Sequence, residues 1–144
     1  MAEMDFNEFA RKTLLRSDKL IRAVGIKTFN PIIKDSPVGD PDLWKGNAPE
    51  GYVGGRLRAN WRCSLGMPNT ATDESTDQNR GIVEVNDVCL KANRKDVLWL
   101  SNSLPYVHRI EYDGHSKQAP AGMVRKNVTR IKRIISKELR NLKS

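Results

Sequence analysis

The sequence predicts an α+β domain. Long N-terminal and C-terminal helices pack against a small antiparallel or mixed β-sheet, with long loops between. Three observations carry this reading. Apolar residues recur at three-and-four spacing near both ends of the chain. Two short apolar runs in the middle have the length and flanking residues of strands. Stretches rich in Pro, Gly and small polar residues separate these segments. With 144 residues the chain is expected to form one domain, 1–144, around a single core.

The first helix is expected from Asp5 to about Lys27. Phe6, Phe9, Ala10, Thr13, Leu14, Leu20, Ile21 and Val24 follow one helical face. Asp5 suits the N-cap and Glu8 the N3 position, a capping-box-like pair. Phe29, Ile32 and Ile33 extend the pattern past Asn30-Pro31, where a kink or restart is expected. From Ser36 to Gly55, Pro37, Gly39, Pro41, Gly46, Pro49, Gly51, Gly54 and Gly55 mark a long loop that also holds Trp44 and Tyr52. Gly54-Gly55-Arg56-Leu57-Arg58-Ala59-Asn60-Trp61 follows and reads as a short helical turn. A strand is then expected over Trp61–Leu65, with Trp61, Cys63 and Leu65 on one face. Gly66–Arg80 is polar and turn-rich and reads as a mobile loop. Ile82, Val85, Val88, Cys89 and Ala92 return to helical spacing, placing a helix over about Arg80–Asn93. Asp96–Asn102 reads as a second strand. Pro105–Tyr112 reads as a short helix, started by Pro105 and stopped by Asp113-Gly114. Gln118–Arg125 is a Pro/Gly elbow. It launches one continuous last helix over about Ala121–Leu142, striped by Val124, Val128, Ile131, Ile135, Leu139 and Leu142.

Charge is unevenly spread. The net charge is +8, and residues 121–144 carry +7 of it. Such a cationic end suits a nucleic acid or an acidic protein surface. It equally suits a solvated helix whose basic C-terminal end complements the helix dipole. No apolar run approaches the ~20 residues that span a membrane. The first residues show neither a basic nor an apolar leader region, so a cytoplasmic chain is expected. Cys63 and Cys89 stand far apart, without zinc-ligand spacing, and read as buried free thiols.

Catalytic and metal chemistry find little support. His108, Glu111 and His115 would share a helical face only if the helix ran through Asp113-Gly114. Gly51-Tyr52-Val53-Gly54-Gly55-Arg56 lacks the Lys-Ser/Thr pair of a phosphate-binding loop, and its glycines read as a tight turn. No nucleophile stands in a motif with a base. We therefore expect no enzyme, cofactor or metal. Arg56, Arg58, Trp61 and Arg62 could form a basic-aromatic patch for single strands. The preferred reading has Leu57 and Trp61 anchoring the turn while the arginines point outward or pair with acids.

Three ordered blocks remain. The first is Ser36-Pro37-Val38 followed, after fifteen residues, by Gly54-Gly55-Arg56-Leu57-Arg58-Ala59-Asn60-Trp61. The second is Leu100-Ser101-Asn102-Ser103-Leu104-Pro105-Tyr106-Val107 with Ile110-Glu111-Tyr112. The third is Gln118-Ala119-Pro120-Ala121-Gly122-Met123-Val124-Arg125. Together they resemble the patterns SPVDTGRLRxSW, NxxPYAxxxEYG and QAPxGMVR of tail-completion or neck proteins of tailed bacteriophages, a family of minor tail and head-tail joining proteins. Gly54 stands where Thr is usual, and Asp113 precedes the Gly of the second pattern.

The resemblance implies a non-enzymatic virion component. It would be assembled in the bacterial cytoplasm as a homo-oligomeric, hexameric ring at the head-tail junction. Its partners would be head-closure or connector proteins, a tail terminator or tail tube, and DNA passing through the lumen. On this basis Gly54, Gly55, Leu57, Arg58, Trp61, Pro105, Tyr106, Glu111, Tyr112, Gln118, Pro120, Gly122, Met123 and Arg125 are expected at subunit interfaces. Lys126, Arg130, Lys132, Arg133, Lys137 and Arg140 are candidates to meet DNA or the connector. The alternative is a small DNA-binding protein acting through its basic C-terminal helix.

Overall fold

A computed structural model describes residues 5–40, 46–114 and 116–143. Pro41, Trp44 and His115 therefore lie outside the described residues. The chain order is α1 (Phe6–Lys34), α2 (Arg56–Ala59), β1 (Arg62–Leu65), α3 (Arg80–Lys91), β2 (Leu98–Ser101), α4 (Val107–Tyr112), α5 (Val124–Val128) and α6 (Ile131–Lys143). The two strands form one antiparallel sheet in which Arg62 faces Ser101 and Leu65 faces Leu98. The fold is α+β, with α3, α5 and α6 packed on α1 and the sheet packed on α3. No described helix is long and apolar enough to cross a membrane.

Helix α1 is longer than its periodicity predicts. Asp5 caps it by accepting a hydrogen bond from the Asn7 N–H, while Glu8 pairs with Lys12. The helix runs unbroken through Pro31. That proline lies in the last turn, so the missing N–H forfeits a single rung of the ladder. The expected apolar face is only half used. Ile32 and Ile33 are in the core, but Phe9 and Leu14 are exposed because the N-terminal third of α1 outruns the elements packed on it.

The core joins Ile32, Ile33, Leu57, Trp61, Cys63, Val85, Cys89, Leu104, Ile110, Ala119 and Met123. Trp61 and Cys63 point inward as expected, whereas Leu65, at the end of β1, is exposed. Both cysteines are free and buried. A hydrogen bond with Cys89, reinforced by burial, pushes the Cys63 thiol well above its ordinary pKa.

Residues 66–80 are not a free loop. Asn60 and Asp73 exchange hydrogen bonds, Asn60 Nδ2 to the Asp73 carbonyl at 3.1 Å and the Asp73 N–H to Asn60 Oδ1 at 2.9 Å. Arg80 grips the Asp73 carboxylate at 2.6 Å and donates to the Ala59 carbonyl. Asn60 is fully buried, so its side chain fastens the loop to the body.

The expected single C-terminal helix is two. Residues 119–122 form a turn, and α5 begins only at Val124. At Thr129–Arg130 the ladder tightens, with the Arg130 N–H reaching the Asn127 carbonyl at 3.1 Å, and α6 starts afresh. Buried Asn127 holds this corner. Its Nδ2 donates to the Met123 carbonyl at 2.7 Å and to Asp35 at the end of α1 at 2.8 Å. The inward face also differs from the expected stripe. Val128 and Leu139 are exposed, while Asn127 and Glu138 are buried. Glu138 pairs with Lys27 across α1 and α6.

Candidate functional site

The three sequence blocks, spread from Ser36 to Arg125, fold into one interlocked cluster. Arg58 stands on α2, whose N-cap is Gly55 in a left-handed conformation at φ +114°. From there its guanidinium reaches the end of α1 and donates to the carbonyls of Lys34 and Ser36 at 2.9 and 2.8 Å. A cation thus completes carbonyls that a helix end leaves without partners. The Trp61 indole N–H donates to the Ser36 hydroxyl at 2.7 Å, and that hydroxyl donates to the Ile32 carbonyl. Asn102 in the second block donates to the Leu57 carbonyl at 2.9 Å. Gln118 in the third block pairs with the Val38 backbone in both directions, at 3.1 and 2.9 Å.

Glu111 is the centre of the second half. It lies on α4 with its side chain buried, aimed at the start of α5. One carboxylate oxygen accepts the N–H groups of Met123 (2.6 Å) and Val124 (2.9 Å), and the other accepts that of Arg125 (2.8 Å). The Arg125 guanidinium pairs with the same carboxylate and donates to the Glu111 carbonyl. Burial raises the pKa of Glu111, but these backbone and side-chain donors outweigh it and hold the carboxyl below its usual range. Gly122 makes the approach possible. Its φ is +82°, and a Cβ there would lie 2.6 Å from the Glu111 carbonyl oxygen. Outside the carboxylate, Arg125 lies over the Tyr112 ring at 4.9 Å, and the His108 ring packs on that same tyrosine at 4.6 Å.

The residues expected at subunit interfaces differ in exposure. Gly55, Leu57, Trp61, Glu111, Gly122 and Met123 are buried within the chain. Pro105, Tyr112, Gln118, Pro120 and Arg125 are exposed, and Gly54, Arg58 and Tyr106 are half-buried. Trp61, Leu100, Val107, His108, Tyr112 and Val124 help line a shallow, mainly apolar hollow beside the cluster. The basic-aromatic patch dissolves into pairs: Arg56 with Glu74, Arg58 with the end of α1, and Arg62 with Glu84. Glu111, one of the three residues considered for a metal, is occupied by the α5 N–H groups.

The basic residues divide. Lys126 lies 3.6 Å from Asp35, and Arg130 donates to Asn127. Lys132, Arg133, Lys137 and Arg140 are exposed on α6, and the last three, spaced by four and three, lie along its outer face. Sequence reading missed Asn60, Asn127 and Glu138 as buried polar ties. Their only signal is a polar residue at a position that helical spacing turns inward. Comparison with protein-family models, curated proteins and solved structures finds no match to this chain.

Proposed function

We propose that this chain is a structural subunit of a tailed-phage neck or tail end. It forms a ring at the head-tail junction that completes the tail and lets DNA pass. One observation carries the proposal: the three blocks that resemble the neck-protein patterns come together as one hydrogen-bonded cluster. They act as a single folding device, which three chance strings would not. Their chemistry is positional. Arg58, Glu111 and Gln118 are spent on backbone groups, as suits a part whose task is to hold a shape.

Purified virions test this directly. Peptides of this chain are expected in particles, and imaging is expected to place it where head meets tail. Deleting its gene should leave filled heads and separate tails. Particles that lack the protein yet infect normally would overturn the reading.

The exposed face of Arg133, Lys137 and Arg140 favours a second reading, DNA binding by the free subunit. It predicts an affinity that falls steeply with salt, because each phosphate neutralised by a side chain releases counterions. Weak, salt-insensitive binding by the isolated chain removes it.

A further inference from the structure

Among the described residues, no hydrogen bond or ion pair ties Asn7–Ser17 to anything beyond α1 and its cap. Every residue from Asn7 to Arg16 is exposed except half-buried Ala10. The first ties to the body come at Asp18, which pairs with Arg94, and at Arg22, which donates to the Ala92 carbonyl. The residues Phe6–Ser17 form an arm about 18 Å long at 1.5 Å per residue. The arm is not polar. Phe9, Leu14 and Leu15 are 49%, 41% and 48% exposed, with Phe9 on a different side of the helix from the two leucines. It is also cationic, with Arg11, Lys12 and Arg16 against Glu8.

A surface of opposite character lies on α3. Val83, Asp87 and Leu90, spaced by four and three, form its outward face, and Val83 and Leu90 are 56% and 62% exposed. Beside them Asp77, Arg80, Val83, Glu84 and Asp87 line a shallow groove. Arg80 is engaged by Asp73, Glu84 by Arg62 and the Cys63 N–H, and Asp77 by the Asn79 N–H, which leaves Asp87 as the outward charge. Helix α3 has 12 residues, the length of the arm.

We propose that the arm of one copy docks along the outer face of α3 in the next copy. Arg11, Leu14 and Leu15, which share one side of the arm, face α3: the two leucines meet Val83 and Leu90, and Arg11 meets Asp87. Charge selects this pairing over arm against arm, which would set cation on cation. Within one chain the outward side of α3 is opposite the side that packs on α1, so arm and groove are different patches. Such an interface is head-to-tail, and each subunit takes part in it twice, closing a ring or growing a filament. The inference rests on the proposed ring assembly and names the surface that builds it.

Two variants of the full chain test it. One reverses the arm (Arg11→Glu), the other the groove (Asp87→Lys). Circular dichroism checks that each stays folded, as expected for exposed positions. Light scattering should show wild-type assemblies larger than a dimer and each variant alone dissociated, with association weakened at least tenfold. An equimolar mixture of the two should reassemble, since each reversed arm then finds a reversed groove and each unaltered arm an unaltered groove. Wild type that stays monomeric, variants that associate like wild type, or a mixture no better than its components would overturn the docking. Virion content is a separate readout. Normal incorporation of the arm variant into particles removes this docking while leaving the head-tail reading intact.

Discussion

Glu111 shows how much one side chain can organise. A carboxylate at a helix start meets both the N–H groups and the positive end of the helix dipole. Here both oxygens are used, and Arg125 closes the arrangement from outside. Glu111→Gln keeps the shape but turns one acceptor into a donor that faces an N–H. We expect a loss of about 2–4 kcal/mol in denaturant unfolding. The pH dependence follows from the sign of the shift. The folded carboxyl titrates below its unfolded value of about 4.3. Its contribution is therefore complete above that value and drains away as pH falls through the lower, folded one. The gap in melting temperature between wild type and Glu111→Gln should be widest near neutrality and shrink in acid. A gap that stays constant down to about pH 3 would show that ionised Glu111 is not what holds α5. None of this was readable in the sequence beyond the motif itself, because a Glu twelve residues before Met123 announces no cap.

At the scale of elements, periodicity located helices and strands well and assigned their faces less well. The strands at Arg62–Leu65 and Leu98–Ser101 and the helix at Arg80–Lys91 lie where alternation and three-and-four spacing put them. The C-terminal segment departs from expectation because polar residues decide its course. Asn127 takes the corner by bonding to Met123 and Asp35, and Glu138 occupies an inward position that an apolar stripe would fill. Counting only apolar residues cannot see either. Lys27, the partner of Glu138, is half-exposed, so its charge would not be stranded if the acid were removed. Glu138→Leu should then be neutral or stabilising by up to about 1 kcal/mol, read as an unchanged or raised denaturation midpoint. A clear loss of stability would mean the pair fixes the α1–α6 packing rather than filling it.

At the scale of the whole molecule, the basic excess read from the sequence takes a direction. Residues 121–144 carry +7, yet Lys126 and Arg130 turn toward Asp35 and Asn127, while Arg133, Lys137 and Arg140 face outward. Composition sets the amount of charge, and the break at Thr129–Arg130 sets where it points. Replacing Arg133, Lys137 and Arg140 with Gln should leave folding intact. It should flatten the salt dependence of any DNA association by about 1 in log–log slope for each phosphate the chain no longer neutralises. An unchanged slope would put the DNA-facing surface elsewhere. The architecture, a long helix braced by others and a two-stranded sheet, was legible. The overhang of α1 was not, since an amphipathic stripe says which side of a helix seeks cover but not whether its own chain provides it.

The two sulfhydryls sealed between β1 and α3 supply a clock that needs no added label. Cys63 and Cys89 are both buried, and the Cys63 thiol is held protonated by its neighbour and its surroundings. A thiol-specific alkylating reagent can therefore reach them only in molecules that have opened. Mass spectrometry of timed alkylation should find the folded chain unmodified long after a urea-unfolded sample has gained two adducts. The two adducts should also appear together, because both sulfurs lie in the same core cluster. Modification of one cysteine well ahead of the other would reveal a partial opening of sheet from helix. Repeated on any assembly the chain forms, the same timing would measure how far neighbours slow its breathing.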